Sequence, residues 1–134
     1  MKILFVCKYN RFRSKVAEGF FNKLNKNKSI TAKSAGIFQG YQVTDTIKEL
    51  AKEFGITVTL NPQTISENML KEFDYIIIVA NDVPSSLFNH DFCKNIIVWK
   101  IPDTNAKDKE TIRKIFIEIE KNIKELVKKY QDPT

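Results

Sequence analysis

Only two cysteines, Cys7 and Cys93, occur in 134 residues. Two thiols are too few for the disulfide framework of a small secreted domain, and in a reducing compartment they are expected to stay free. Long apolar runs are missing too. The longest, Tyr75 to Ala80, has six residues, against the roughly twenty that a membrane-spanning helix needs. The N-terminal MKILFVC carries one lysine and a strand-length apolar run, too short for a signal peptide and with no small-residue cleavage site after it. No membrane partner and a cytoplasmic location are therefore expected. No repeat, low-complexity tract or linker divides the chain, so one domain over residues 1–134 is expected. Histidine is nearly absent: His90, in the irregular stretch FNHDF, reads as a surface residue.

Negative charge is in deficit. The net charge of +6 admits nucleic acid or small anionic substrates as partners, but most lysines fall in helical stretches, where a solvated face explains them. The most basic run, KLNKNK (23–28), is broken by asparagines and has no aromatic platform beside it, so no nucleic acid is expected. Arginine is scarcer than lysine. Of three, two fall in one short stretch, VCKYNRFRS (6–14), and the third is Arg113.

The periodicity predicts alternating strands and helices. Lys2 to Val6, KILFV, suits a strand buried on both faces. From Ser14, Val16, Ala17, Phe20, Phe21 and Leu24 form one helical face. Ile30 to Lys33 is a second short strand closed by Ala35-Gly36. Ile47, Leu50, Ala51 and Phe54 mark a helix with Thr44 as N-cap and Gly55 just past its end. Ser66 to Phe73 is a short helix, residues 74–80 (DYIIIVA) the strongest strand, and Asn95 to Ile101 the last strand. Lys107 to Tyr130 is a long helix whose apolar stripe leaves out Ile117. Strands without period-2 alternation, set between helices, predict a three-layer α/β/α fold around a four-stranded parallel sheet.

Ligands of such sheets bind outside the carboxyl ends of the strands. There the sequence offers Cys7 and its loop, Ser34-Ala35-Gly36, Asn81-Asp82 and Pro102-Asp103. The first loop runs from a buried strand into a helix N-terminus, where unpartnered N–H groups and the helix dipole favour an anion. A cysteine at its start has its thiolate stabilised there and becomes a nucleophile. Arg13 closes a Cys-x5-Arg spacing, and its planar fork matches two oxygens of a tetrahedral oxyanion. The five residues between, Lys8, Tyr9, Asn10, Arg11 and Phe12, form the phosphate-binding loop.

CKYNRFRSKVAE resembles the active-site loop of the low-molecular-weight protein tyrosine phosphatases and of the thioredoxin-coupled arsenate reductases that share their fold. The shared positions are Cys7, Asn10, Arg13, Ser14, Ala17 and Glu18, and SAG (34–36), KEFGI (52–56), EFDYIIIVAND (72–82) and IPD (101–103) match further along. The resemblance implies that Cys7 attacks phosphorus and carries a phosphocysteine. It implies that Arg13 and the loop amides hold the transferring oxygens and that Asp103 is general acid, with Asp82 as the fallback. Ser14 is implied to hydrogen-bond the thiolate, and Asn10 to pin the loop with Ser34 as its support. No metal and no cofactor are implied. The implied partners are a phosphorylated protein or small phosphate ester, with phosphate, sulfate or arsenate as site anions. Tyr9, Phe38 and Tyr41 are the expected substrate wall.

The chain also departs from the pattern. Tyr9 stands where many of these phosphatases have glycine, and bulkier residues there are similar to the arsenate-reductase branch. Lys15-Val16 replaces Pro-Met, and Thr104-Asn105 follows Asp103 where a proline and two tyrosines are common. Arsenate reduction in this fold relays a disulfide through two further cysteines, beginning near the end of the third strand. Here VANDVPSS (79–86) has none, and Cys93 alone is left to pair with Cys7 or to serve glutathione-linked chemistry. Phe12 fills the position of a second, protective cysteine. A phosphatase is the expectation; an arsenate reductase and a non-catalytic anion-binding domain are the alternatives.

Overall fold

Ile3 to Cys7 are all buried, so the first strand, β1 (Lys2–Cys7), has no solvent face. The computed structural model describes residues 1–93, 95–104 and 108–130. After β1 come α1 (Arg13–Leu24), β2 (Thr31–Gly36), α2 (Asp45–Phe54), α3 (Glu67–Glu72), β3 (Tyr75–Val79), β4 (Ile96–Trp99) and α4 (Lys109–Lys129). The strands pair in the order β2-β1-β3-β4 and every ladder is parallel. Successive residues of β1 point to opposite faces. Ile3 and Phe5 join the core under α1, α2 and α4, with Phe20, Leu50, Phe116 and Ile119. Leu4 and Val6 join the core of the other face, with Ile76, Ile78, Phe73 and Phe88, against which Met69 and Leu70 of α3 pack. Helices on both faces of a parallel sheet make the predicted three-layer α/β/α fold.

The order places the chain's reversal at β1: from it the chain goes to β2 on one side and then returns to β3 on the other. A crevice opens at the carboxyl ends where connections diverge in this way, and Cys7 is the last residue of β1.

Local signals held at most boundaries. The Thr44 hydroxyl accepts from the Ile47 amide, and Gly55 takes φ 68° past the end of α2. Ser66 caps α3, Asp108 caps α4, and Ile117 is 51% exposed. The expected start of the last helix at Lys107 lies outside the described residues, as does Asn105. The second strand is displaced from its expected range. It begins at Thr31 and runs on through Ser34, Ala35 and Gly36, which pair with Phe5, Val6 and Cys7. Gly36 also bridges to Thr64, so partners on both sides keep this segment extended where the sequence alone reads as a turn. The last strand stops at Trp99, since the Ile101 amide turns back onto the Trp99 carbonyl. No helix among the described residues is long and apolar enough to cross a membrane.

Candidate active site

Five residues separate Cys7, at the end of β1, from Arg13, at the start of α1. Phe12, the N-cap of α1, offers no side-chain acceptor, so the first-turn amides are left to an anion over the loop. Asn10 is the non-glycine residue with positive φ among those described, at 53°. Its fully buried side chain holds it there: Nδ2 donates to Ser14 Oγ at 2.8 Å, and Oδ1 accepts from the Gln63 amide at 2.9 Å. Ser14 Oγ also lies 2.9 Å from Cys7 Sγ. Because Ser14 already accepts from Asn10, its own hydrogen is free to point at the sulfur, and a thiolate can only accept it. Gly36 backs this turn. A Cβ on it would lie 2.7 Å from both the Asn10 nitrogen and the Tyr9 carbonyl carbon.

Arg13 is 1% exposed. Nη1 donates to the Ile101 carbonyl at 3.0 Å, Nη2 stands 3.0 Å from Asp82 Oδ1, and Asp103 Oδ2 is 3.7 Å from that same nitrogen. A cavity of about 500 Å³ opens over the loop. Cys7, Tyr9, Arg11, Phe12, Arg13 and Asp103 line it, with Thr44, Thr46, Ile47, Thr104 and Ile112 as the far wall. A thiol, a guanidinium and a carboxylate thus border one space. Among the described residues, no group of His, Cys, Asp and Glu could hold a metal ion.

Ser34 is joined to Asn10 through Gln63. Its hydroxyl donates to Glu18 Oε1 at 2.6 Å, and its carbonyl accepts from Gln63 Nε2 at 2.6 Å. Gln63 is the residue that sequence reasoning missed: its amide holds Asn10, its side chain holds Ser34, and its carbonyl accepts from the Gly36 amide. No spacing announces it, because its partners come from other segments. Lys15, which the sequence marks only as a departure from Pro-Met, also has a bracing role. It is 2% exposed, and Nζ donates to Thr59 Oγ1 at 2.5 Å and to the Asn61 carbonyl at 3.0 Å, tying α1 to the segment that carries Gln63. Burial pushes its pKa below the usual lysine value, and the charges of Glu18 and Cys7 oppose that shift.

Of the expected substrate wall, Tyr9 borders the cavity. Phe38 stands beside it, ring centroids 6.1 Å apart, and Tyr41 lies under Arg11 at 5.9 Å. Phe38 and Tyr41 belong to the rim and not to the cavity lining; they are 54% and 81% exposed. The Phe12 ring packs 5.9 Å from Phe116 of α4. Cys93 is buried with its thiol against the Asp74 and Asn95 carbonyls, which precede β3 and β4. Cys7 is at the opposite, carboxyl end of the sheet. About five strand residues, on the order of 15 Å, separate the two levels, far more than a disulfide spans. The fold therefore excludes the Cys7–Cys93 pairing that the sequence left open.

The model of a family described as low molecular weight phosphotyrosine protein phosphatase matches residues 2–133. An arsenate reductase structure from Archaeoglobus fulgidus is 35% identical, with a TM-score of 0.82 over 94% of this chain and 98% of that one. A low molecular weight protein tyrosine phosphatase structure from T. tengcongensis is 28% identical, with a TM-score of 0.83 over 96% of this chain and 99% of that one. A glutaredoxin arsenate reductase of Synechocystis sp. is 25% identical over 132 residues, 96% of this chain and 97% of that protein.

Proposed function

The chain belongs to the low molecular weight phosphotyrosine protein phosphatase family, and from that premise we propose that it is a metal-independent phosphatase acting on phosphate monoesters, phosphotyrosine in proteins among them. The observation that carries this reading is the convergence of Cys7, Arg13 and Asp103 on one cavity, with the Ser14 hydroxyl 2.9 Å from the sulfur.

In the first step the Cys7 thiolate attacks phosphorus and forms a P–S bond. The P–O bond to the leaving group breaks, and Asp103 gives its proton to the departing oxygen. Arg13 and the amides of residues 8–13 hold the three equatorial oxygens as charge redistributes over them. In the second step Asp103, now a carboxylate, takes a proton from water. The water oxygen attacks phosphorus, the P–S bond breaks and phosphate leaves. The Ser14 hydroxyl donates to the departing thiolate and makes sulfur a better leaving group. Asn10 and Gln63 hold the loop in its anion-binding shape.

Hydrolysis of p-nitrophenyl phosphate in the presence of a chelator tests the reading. Turnover that Cys7→Ser abolishes is expected; turnover that needs metal, or that survives Cys7→Ser, would sink it.

Reduction of arsenate is the second reading, favoured by the 35% identity to the A. fulgidus protein. With Cys93 buried at the other end of the sheet, both electrons would have to come from external thiols, a first bonding to arsenate or Cys7 and a second releasing it as disulfide. Arsenite formed steadily from arsenate with glutathione and glutaredoxin, without ester hydrolysis, would favour it.

A further inference from the structure

Of the three arginines, one has no acid to hold. Arg13 meets Asp82 and Asp103, and Arg113 meets Glu53 and Glu110. No carboxylate of the described residues comes within 4 Å of Arg11, which borders the cavity over the loop. Its guanidinium lies instead over the Tyr41 ring, 5.9 Å from the centroid. Lys8 repeats the arrangement. Its Nζ is 5.4 Å from the Tyr9 centroid, and it too has no carboxylate within 4 Å among the described residues. Both cations are half-buried, and the rings they lie over are exposed. Tyr41 is outside the cavity lining, so the guanidinium of Arg11 stands at the mouth, whereas that of Arg13 is buried.

We propose that the cavity mouth reads a second negative charge, with Arg11 as its specificity-determining residue, and that the favoured substrates are phosphotyrosine segments with acidic neighbours; this rests on reading the site as a phosphatase's. A guanidinium stacked on a ring uses its flat face there and keeps its N–H edge free. That edge is a fork that matches a carboxylate with two parallel hydrogen bonds. No acceptor among the described residues occupies the edge of Arg11. The phosphoryl group does not call for this cation, because Arg13 and the loop amides hold its oxygens in the proposed mechanism. Arg11 therefore acts on what the phosphate is attached to. An ester enclosed by the cavity lies short of the pair that Arg11 makes with Tyr41, but a residue next to phosphotyrosine crosses the mouth where that pair stands. An acidic neighbour gives Arg11 the counter-charge that the chain itself does not provide. A basic one meets Lys8 and Arg11 as like charges, which lowers its affinity.

The test uses the full chain and phosphotyrosine peptides of equal length, with aspartate, alanine or lysine on both sides of the phosphotyrosine. The wild type is expected to favour the aspartate peptide over the lysine peptide by about tenfold or more in kcat/KM, mostly through KM. The ratio is taken within each variant, so a change in overall rate does not enter it. Arg11→Ala should cut the ratio by about threefold to tenfold, the scale of a charge-assisted bond at a half-exposed rim, and Arg11→Glu should cut it further or invert it. Tyr41→Ala, which removes the ring that orients the fork, should cut it as well, and Tyr41→Phe should restore it. Raising NaCl from about 0.05 M to about 0.5 M should shrink the ratio of the wild type more than that of Arg11→Ala. A wild type indifferent to the flanking residues overturns the proposal. So does an Arg11→Glu ratio equal to that of the wild type, which would leave the preference to the net charge of +6 alone. If Arg11→Glu does not fold, Arg11→Ala and Arg11→Gln are read by the same criterion. If the wild type hydrolyses none of the peptides, the phosphatase reading fails, while calorimetry of the same peptides on Cys7→Ser, with and without Arg11→Ala, still decides the role of Arg11.

Discussion

Cys7 Sγ lies 2.9 Å from Ser14 Oγ, across a loop whose turn is held by Asn10 through that same oxygen. The hydroxyl hydrogen is thereby free to donate to a thiolate, and in the proposed mechanism that donation matters most when sulfur leaves phosphorus. Ser14→Ala is expected to slow breakdown of the phosphocysteine more than its formation. Stopped-flow release of nitrophenolate should show a burst followed by a steady rate about tenfold to a hundredfold below wild type, the scale of one hydrogen bond to a charged group. A uniform slowing without a burst would argue against this role.

Gly36 is a geometric requirement of the loop. An added Cβ would come within 2.7 Å of the Asn10 nitrogen, a backbone atom that cannot give way without moving the turn. Gly36→Ala should cost about 1–3 kcal/mol of stability, the usual scale of overpacking, and should weaken phosphate binding. Urea denaturation and calorimetry measure the two; a variant as stable as wild type that binds phosphate normally would show that the loop yields.

Arg13→Lys keeps the charge but loses the fork that reaches Ile101, Asp82 and the cradle together. A loss of about 10²-fold or more in kcat/KM is expected. Retained kcat/KM would mean that a point charge is enough.

Asp103→Ala should leave the best leaving groups little affected and slow poor ones by about 10²–10⁴-fold. A plot of log kcat against leaving-group pKa, steep in the variant and shallow in the wild type, is the expected result. Parallel lines would move the acid role to another group.

Lys15 gives a pH dependence. Its folded-state pKa is lowered by burial beneath the unfolded value of 10.5. Between those two values the unfolded chain binds the extra proton, so this group makes stability rise with pH across that window. Below the window the buried charge carries its full cost. Subtracting the urea stability of Lys15→Met from that of the wild type across the alkaline range isolates the slope, which should be positive. A flat or falling difference would contradict the burial effect.

The helical and strand periods were legible because each is a local pattern: Val16, Ala17, Phe20 and Phe21 share one face of α1 whatever lies opposite. The residues of the loop were legible for a related reason. Cys7, Asn10, Arg13 and Ser14 lie within one turn of chain, so spacing alone brings them together once a buried strand is followed by a helix. Gln63 was not legible, nor was the link by which Ser34 reaches Asn10 through it. The two are 53 and 24 positions from Asn10, and no period connects them to it.

The sequence by itself therefore determined the layered α/β architecture and the loop that brings Cys7, Asn10, Arg13 and Ser14 together. The tertiary structure alone decided which distant groups complete the site. It set Asp82 against Arg13 and put Asp103 on the cavity wall. It made Gln63 the brace of the loop and buried Cys93 at the end of the sheet away from Cys7. The physical reason is register. Parallel pairing fixes which strand ends share an edge and which residues of their loops meet there, and that depends on packing between segments far apart in the chain.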